Sequence, residues 1–289
     1  MKDVKWDQAL RFRLIEIIAL WEGRLTTNHL CTAFQIGRQQ ASRDINSYQS
    51  LFETPPLVLD RSIKGYKPTQ AFSPKFSQGT ASEYLALLHR QKEMVEAFDC
   101  FELGHAESEI VSVPDRTISP IIVRSLIQAA REQRRVDIDY ISLSTPKVIG
   151  RNIVPHTIVN DGFRWHVRAY CEHRKEYRDF VLSRFRNEPD LLDRSDFGRE
   201  HDTDWNESTV LEITPNPYLS EAQQQIIAED YGMQNKSMII EARNALVKYV
   251  VQRLNLCLEE KLLKNTPEAN QLTVKNQPDT IAHLISKSP

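Results

Sequence analysis

The chain has little of what most enzymes and exported proteins are built on. Its 289 residues hold four cysteines, Cys31, Cys100, Cys171 and Cys257, far apart and in no paired spacing. That pattern argues against a disulfide framework, a CxxC redox pair or a zinc site. The nine glycines form no phosphate-cradling loop, and neither HExxH nor GxSxG occurs. No apolar run approaches the roughly 20 residues that cross a bilayer. The amino terminus, MKDVKWDQALRFRL, scatters charge among its apolar residues and has no cleavage pattern of a secretory signal. A cytoplasmic protein without membrane segment, metal or cofactor is expected.

Net charge is also missing: 37 basic and 39 acidic residues leave −2. That near-neutrality is an average over four blocks. Residues 1–70 carry +3 and residues 120–186 carry +6, against −4 for 71–119 and −7 for 187–289. Two basic modules in an otherwise acidic chain point to anionic partners, nucleic acid or nucleotide first.

In the first basic module, WDQALRFRLIEIIALWEG spaces Leu10, Leu14, Ile17, Ile18 and Trp21 as an amphipathic helix closed by Gly23. TTNHLCTAF follows as a second helix with Thr26 or Thr27 as its cap. A turn, QIGR, then leads to a third helix, RQQASRDINSYQSL. Helix, helix, glycine-containing turn, helix is the order of a helix-turn-helix. On the third helix Ala41, Ile45 and Tyr48 share one side, while Arg38, Gln39, Gln40, Ser42, Arg43 and Asn46 lie on the others. Glutamine and asparagine pair with the edge of adenine and arginine with guanine, so these six are the candidate DNA readers. PLVLDRSIKGYKPT reads as two strands and a turn, a wing whose Arg61, Lys64 and Lys67 are placed for phosphates. The plain alternative is a small helical bundle with a solvated third helix.

Residues 81–102 read as a connecting helix. ISPIIVRSLIQAAREQR is a further helix, with Ser119 as N-cap and Pro120 at its first position. Beyond it the period turns strand-like: VDIDYISLS, then RNIVPHTIVNDGFRWHVRAYC around an Asn160-Asp161-Gly162 turn, then EYRDFVLSRF. One helix followed by four or more short antiparallel strands makes a small bent sheet or barrel. Alternation puts His166, Arg168 and Tyr170 on one face of their strand, and Arg178, Phe180, Leu182 and Arg184 together on one face of theirs. Guanidinium groups crowded on one barrel surface repel unless an anion sits among them, and their planar forks suit phosphate. Arg151 has the simpler option of pairing with Asp139.

The run R-x-x-x-P-H, G-x-R-W-H-V-R-A-Y and R-D-F-x-L-S-R, from Arg151 to Arg184, resembles the WYL domain of bacterial transcription regulators. Of the Trp-Tyr-Leu tripeptide that names the domain, only Trp165 stands here, followed by His166 and Val167. The resemblance implies an Sm-like β-barrel with a pocket for a phosphate-bearing nucleotide or nucleic-acid fragment. The matching positions are Tyr140, Ser142, His156, Arg168, Arg178, Asp179, Phe180 and Arg184. Trp165 joins the candidate set, although it reads first as a core residue.

Behind this block, TVLEITPNP, SEAQQQIIAEDYG, KSMIIEARN and ALVKYVVQRLNL run strand, helix, strand, helix, with LTVK as a last strand. The whole chain thus resembles the WYL repressors found beside phage-defence systems of the BREX and CBASS types. The expected organisation is α+β and multidomain: a winged helix-turn-helix over 1–70, a helical connector over 71–119, a WYL domain over 120–195 and a C-terminal αβ extension over 205–289 that dimerises. A homodimer on an inverted-repeat operator in double-stranded DNA follows, released by ligand at the WYL domain. The competing classes are an RNA- or nucleotide-binding scaffold and a metal-dependent nuclease. The second would need Asp137 and Asp139 to hold a metal, where a solvated strand face is the simpler reading. His105, His173 and His201 stand without acids or cysteines at ligand spacing, so no enzymatic activity is expected.

Overall fold

The computed structural model describes residues 4–87, 116–276 and 278–287. The expected connecting helix beyond residue 87, with Cys100, lies outside the described residues, as does His105. The chain divides into two compact units, Met1–Ser112 and Val113–Pro289.

In the first unit, α1 (Trp6–Glu22) ends at Gly23, whose φ of +68° is the left-handed conformation that glycine adopts at least cost. Helix α2 (Thr27–Phe34) starts from Thr26, whose backbone N–H donates to His29 Nδ1 at 3.2 Å. The turn into α3 (Arg38–Gln49) takes its left-handed residue at Gln35, φ +53°, while Gly37 sits at an ordinary −70°. Phe12, Ile15, Ile18, Leu30, Ala41, Ile45 and Tyr48 form the core of this unit. Each such burial of an isoleucine or leucine is worth about 1.5–3 kcal/mol. The wing is an antiparallel pair, β1 (Leu57–Asp60) and β2 (Gly65–Pro68), extended by a bridge from Tyr66 to Leu25. Gly65 is required by that bridge, because a Cβ there would lie 2.8 Å from the Leu25 carbonyl oxygen. One carboxylate ties the unit together. Glu16, fully buried on α1, accepts from Tyr48 Oη at 3.0 Å and from the N–H groups of Lys75, Phe76 and Ser77 at 2.7 Å each. Residues 81–87 are helical (α4).

The second unit begins with α5 (Pro120–Glu132), capped by Ser119 with Pro120 at its first position. It packs Ile122, Leu126 and Ala129 onto an antiparallel sheet of β3 (Arg134–Ile141), β4 (Val148–Asn160), β5 (Trp165–Cys171), β6 (Glu176–Val181) and β7 (Asp190–Arg194). The order is β6-β5-β4-β3-β7, an open sheet and not a closed barrel. The strand expected to run on to Phe185 stops at Val181. Leu182–Arg184 form a turn of 3₁₀ helix, and Phe185 crosses to make a bridge with Tyr140 of β3. The β4–β5 connection runs over residues 161–164, past the expected Asn160-Asp161-Gly162 turn: Asp161 Oδ1 accepts from the N–H groups of Phe163 and Arg164, 2.8 Å each, and Gly162 takes φ +93°.

A 3₁₀ turn at Arg199–His201 and a short α6 (Thr203–Asn206) lead into the C-terminal part. There β8 (Ser208–Pro215), α7 (Glu221–Asp230), β9 (Met238–Arg243) and α8 (Val247–Arg253) follow the expected order. They are joined by α9 (Glu260–Asn265), β10 (Leu272–Val274) and α10 (Pro278–Lys287). The sheet order is β10-β8-β9, with Leu211, Ile213, Val247 and Leu272 in its core. Among the described residues no helix is long and apolar enough to cross a membrane.

Candidate functional site

Helix α3 buries Ala41, Asp44, Ile45 and Tyr48. At 100° per residue, Gln39, Ser42, Arg43 and Asn46 then project on the opposite side, and of these Gln39, Arg43 and Asn46 are exposed, as is Arg38 at the helix start. The acid of this helix is turned away from the face: Asp44 is 1% exposed and pairs with Arg11 at 2.8 Å. Gln40 goes with it, its amide donating to both Asp44 oxygens at 3.1 Å, which holds its side chain off the exposed face. Spacing alone could not separate Gln40 from its neighbours, because its partner is an acid placed inward. On the wing, Arg61 and Lys64 are exposed, whereas Lys67 is held by Asp60 at 2.7 Å. Arg24 Nε donates to the Ile63 carbonyl at 2.6 Å and pins the wing turn.

The WYL sheet distributes its arginines differently from the expectation. Register sets Arg168 opposite Asp179 and Ala169 opposite Arg178, so Arg168 and Arg178 face opposite sides of the sheet. The four side chains expected to share a face with one another are also divided, since Leu182 and Arg184 lie in the 3₁₀ turn. Two distinct environments result.

The first is a buried polar layer. Arg168, 3% exposed, forms a two-point pair with Asp202, Nε to Oδ2 at 2.7 Å and Nη2 to Oδ1 at 3.0 Å, and reaches Asp179 at 3.5 Å. His156 Nε2 lies 3.1 Å from the same Asp202, with Nδ1 2.9 Å from Thr157 Oγ1. Burial pushes the Asp202 carboxyl up, but His156 and Arg168 outweigh it and hold the group at about 2. His166 is pushed down by burial although Asp161 sits 2.7 Å from its Nε2. The neutral ring therefore carries its proton on Nε2 and leaves Nδ1 as an acceptor, buried without a protein partner. Asp161 is itself held at about 2: burial raises it, and the bonds from His166, Phe163 and Arg164 win. Trp205 closes the layer, its ring 5.5 Å from His156. Sequence reasoning missed Asp202, which falls between the two expected domains, and Trp205, the first residue of the second. The available signal was Asp-Thr-Asp-Trp, a helix cap: Asp202 accepts from the Trp205 N–H at 3.3 Å.

The second environment is the face that also carries the core. Tyr140 and Phe180 are buried there edge to face, centroids 5.1 Å apart, with Tyr140 Oη accepting from the Val181 N–H at 3.0 Å. Arg151 shares this face and makes no ion pair with Asp139, whose carboxylate takes the Asn187 amide instead. The Arg151 guanidinium lies 6.0 Å from the Tyr140 ring, and its Nε is buried with no partner. Among the described residues Arg178 pairs with Glu176 alone, at 3.4 Å, a carboxylate that is itself 55% exposed. Arg184 is half-buried and makes no ion pair among the described residues. Ser142 sits in the β3–β4 loop, its hydroxyl accepting from the Thr145 N–H at 3.0 Å. Trp165, read first as core, is 48% exposed. Two open clefts, of about 460 and 540 Å³, lie around Lys236 in the C-terminal part, and none of these residues lines them.

Comparison with known proteins covers both units. Residues 7–90 match the family model of the BrxR transcriptional regulator winged helix-turn-helix domain, residues 122–187 that of the WYL domain, and residues 208–280 that of the BrxR transcriptional regulator C-terminal dimerization domain. A DNA-binding transcriptional repressor CapW of Pseudomonas aeruginosa is 35% identical over 283 residues, spanning 97% of this chain and 93% of the relative. The CapW of Escherichia coli (strain KTE188) is 32% identical over 287 residues, with the same 97% and 93% coverage. That of Stenotrophomonas maltophilia is 29% identical over 274 residues, 94% of this chain and 91% of the relative. A winged reader, a WYL sheet and a C-terminal αβ domain in this order, with relatives aligned from end to end, place the chain in the BrxR and CapW family of WYL-domain transcriptional regulators.

Proposed function

We propose that this chain is a cytoplasmic homodimeric repressor of phage-defence genes that sets α3 of each protomer into the major groove of an inverted-repeat operator. Residues 1–70 bind DNA, 71–119 connect, 120–195 form an Sm-like WYL domain, and 205–289 dimerise. The observation that carries the reading is the exposed Gln39, Arg43 and Asn46 face, cleared of acid by the inward turn of Asp44 and flanked by Arg61 and Lys64 on the wing. The return of the chain after β6, with Phe185 bridging back to Tyr140 of β3, supports the Sm-like assignment. Footprinting on the DNA immediately upstream of the protein's own gene tests the proposal. Two protected half-sites related by inverted repetition, about one helical turn or a multiple of it apart, are expected. Equal affinity for unrelated duplex would refute operator specificity and favour an RNA- or nucleotide-binding scaffold.

Release is controlled by a phosphate-bearing ligand on the face of Arg151 and Arg178, joined by Arg184 of the following 3₁₀ turn. Its support is the shortage of acid there: a buried Nε without partner, one arginine with an exposed carboxylate, and one with none. Arg168, by contrast, is already paired with Asp202 and Asp179 on the other side. The ligand releases DNA only by binding the released state more tightly than the DNA-bound one. Arg178→Ala with Arg184→Ala abolishes that response and preserves operator binding. Loss of DNA binding in a folded dimer would overturn the sensing role.

A further inference from the structure

The first and last turns of α8 lie against the WYL sheet on the side away from its core. Tyr249 Oη donates to Asp179 Oδ2 at 2.6 Å, and Lys248 Nζ approaches the same oxygen at 3.6 Å. Four residues further along the helix, Arg253 covers Gly162 in the β4–β5 connection, where a Cβ would come within 2.6 Å of its Nη1. The Tyr249 ring is also 5.1 Å from the His166 ring of β5. Helix α8 therefore touches β6 and β5 through Lys248 and Tyr249 at its start and the β4–β5 connection through Arg253 at its end, two anchors that restrict its orientation on the sheet. The partners are buried: Tyr249 is 6% and Lys248 8% exposed, and the Asp179 side chain 4%. Burial and the Asp179 charge push the Tyr249 phenol upward, so it stays a donor over the whole neutral range.

Asp179 also stands at a particular place in the chain. Its neighbour Arg178 points to the acid-poor face, while Asp179 points to α8, so adjacent residues of one edge strand address the two sides. We infer that Asp179 is a positioning residue: its bonds to Tyr249 and Lys248 set the angle between the WYL sheet and the C-terminal domain, and through it the distance between half-sites that the dimer accepts. This rests on the proposal above that the chain binds an inverted repeat as a dimer through its C-terminal domain. On this inference, loosening the junction alters the half-site spacing that the dimer accepts and leaves the base preference of each reader as it was.

The test uses the full-length dimer and duplexes carrying its footprinted operator with the spacer changed by one or two base pairs. Tyr249→Phe removes a single hydroxyl, and Asp179→Asn keeps shape while removing charge. Wild type is expected to disfavour the altered spacers by about tenfold or more, since reading helices are matched to half-site spacing. In either variant that discrimination falls below about threefold, with the base preference inside a half-site unchanged and the dimer intact by light scattering. A merely structural role would lower the unfolding midpoint and leave spacer discrimination as in wild type, and that result overturns the inference while the repressor reading stands. A wild type that accepts every spacer equally overturns both.

Discussion

Replacing Arg168 with methionine separates a structural arginine from a ligand-binding one. The substitution keeps an unbranched apolar stem and removes a guanidinium that is 3% exposed and pairs at two points with Asp202, 1% exposed. What remains is a pair of buried carboxylates, Asp202 and Asp179, that lose their shared cation. Breaking a buried pair from one side costs about 3–5 kcal/mol, because the surviving charge is left without compensation. Against the roughly 5–15 kcal/mol that holds a whole domain, that is a large share. Urea unfolding at pH 7 measures it as a lower midpoint at constant slope. Adding Asp202→Asn, which keeps the helix-capping oxygen and removes the orphaned charge, restores about 2 kcal/mol, the coupling of residues in direct contact. A loss under about 1 kcal/mol for Arg168→Met, or strict additivity of the two changes, refutes the reasoning. An arginine kept for an anionic ligand would behave in the opposite way, its removal relieving repulsion and leaving the apo protein as stable or more so.

Two further outcomes follow from the same geometry. Arg43→Ala weakens operator binding by about 1–3 kcal/mol and relaxes preference at one base pair, whereas Gln40→Ala, whose amide is spent on Asp44, leaves base preference as it was; competition gel shifts over a set of operator variants decide between them, and a specificity change from Gln40→Ala would be the refuting result. Acid weakens the second unit in two stages. His166 is depressed below its ordinary 6.5, so stability declines as pH falls below that value; Asp161 and Asp202, at about 2 against an ordinary 3.8, add stability that is complete above pH 4 and lost on the way down to 2. Each carboxylate contributes about 2 kcal/mol. Unfolding midpoints at pH 7, 5 and 3 measure this, and a flat profile would refute it.

Much of the fold was legible because local signals agreed with tertiary ones. Gly23 closes α1, Thr26 opens α2, and Ser119 with Pro120 opens α5, since caps act within one turn of chain. Alternation in β5 was read correctly as well, with Val167 and Ala169 inside and His166 and Arg168 on the other face. What alternation within a strand cannot supply is the phase of one strand against the next. That is why Arg178 was grouped with Arg168, although register puts them on opposite sides. The cover over the Arg168 face was illegible for another reason: Asp202, Trp205 and Tyr249 come from 34 to 81 residues away, beyond the end of the expected WYL domain at residue 195. The resemblance carried by Arg151, Pro155, His156, Trp165 and Arg178 named the family, but it did not tell which of those side chains meet protein.

The Glu16 carboxylate has a bearing on how the reader is carried. It grips three successive amides of the departing chain and, through Tyr48, the helix whose far side is offered to DNA. A tug on the polypeptide at residue 77 is thus shared through one carboxylate by α1 and α3, as a pull on a handle is shared by both blades.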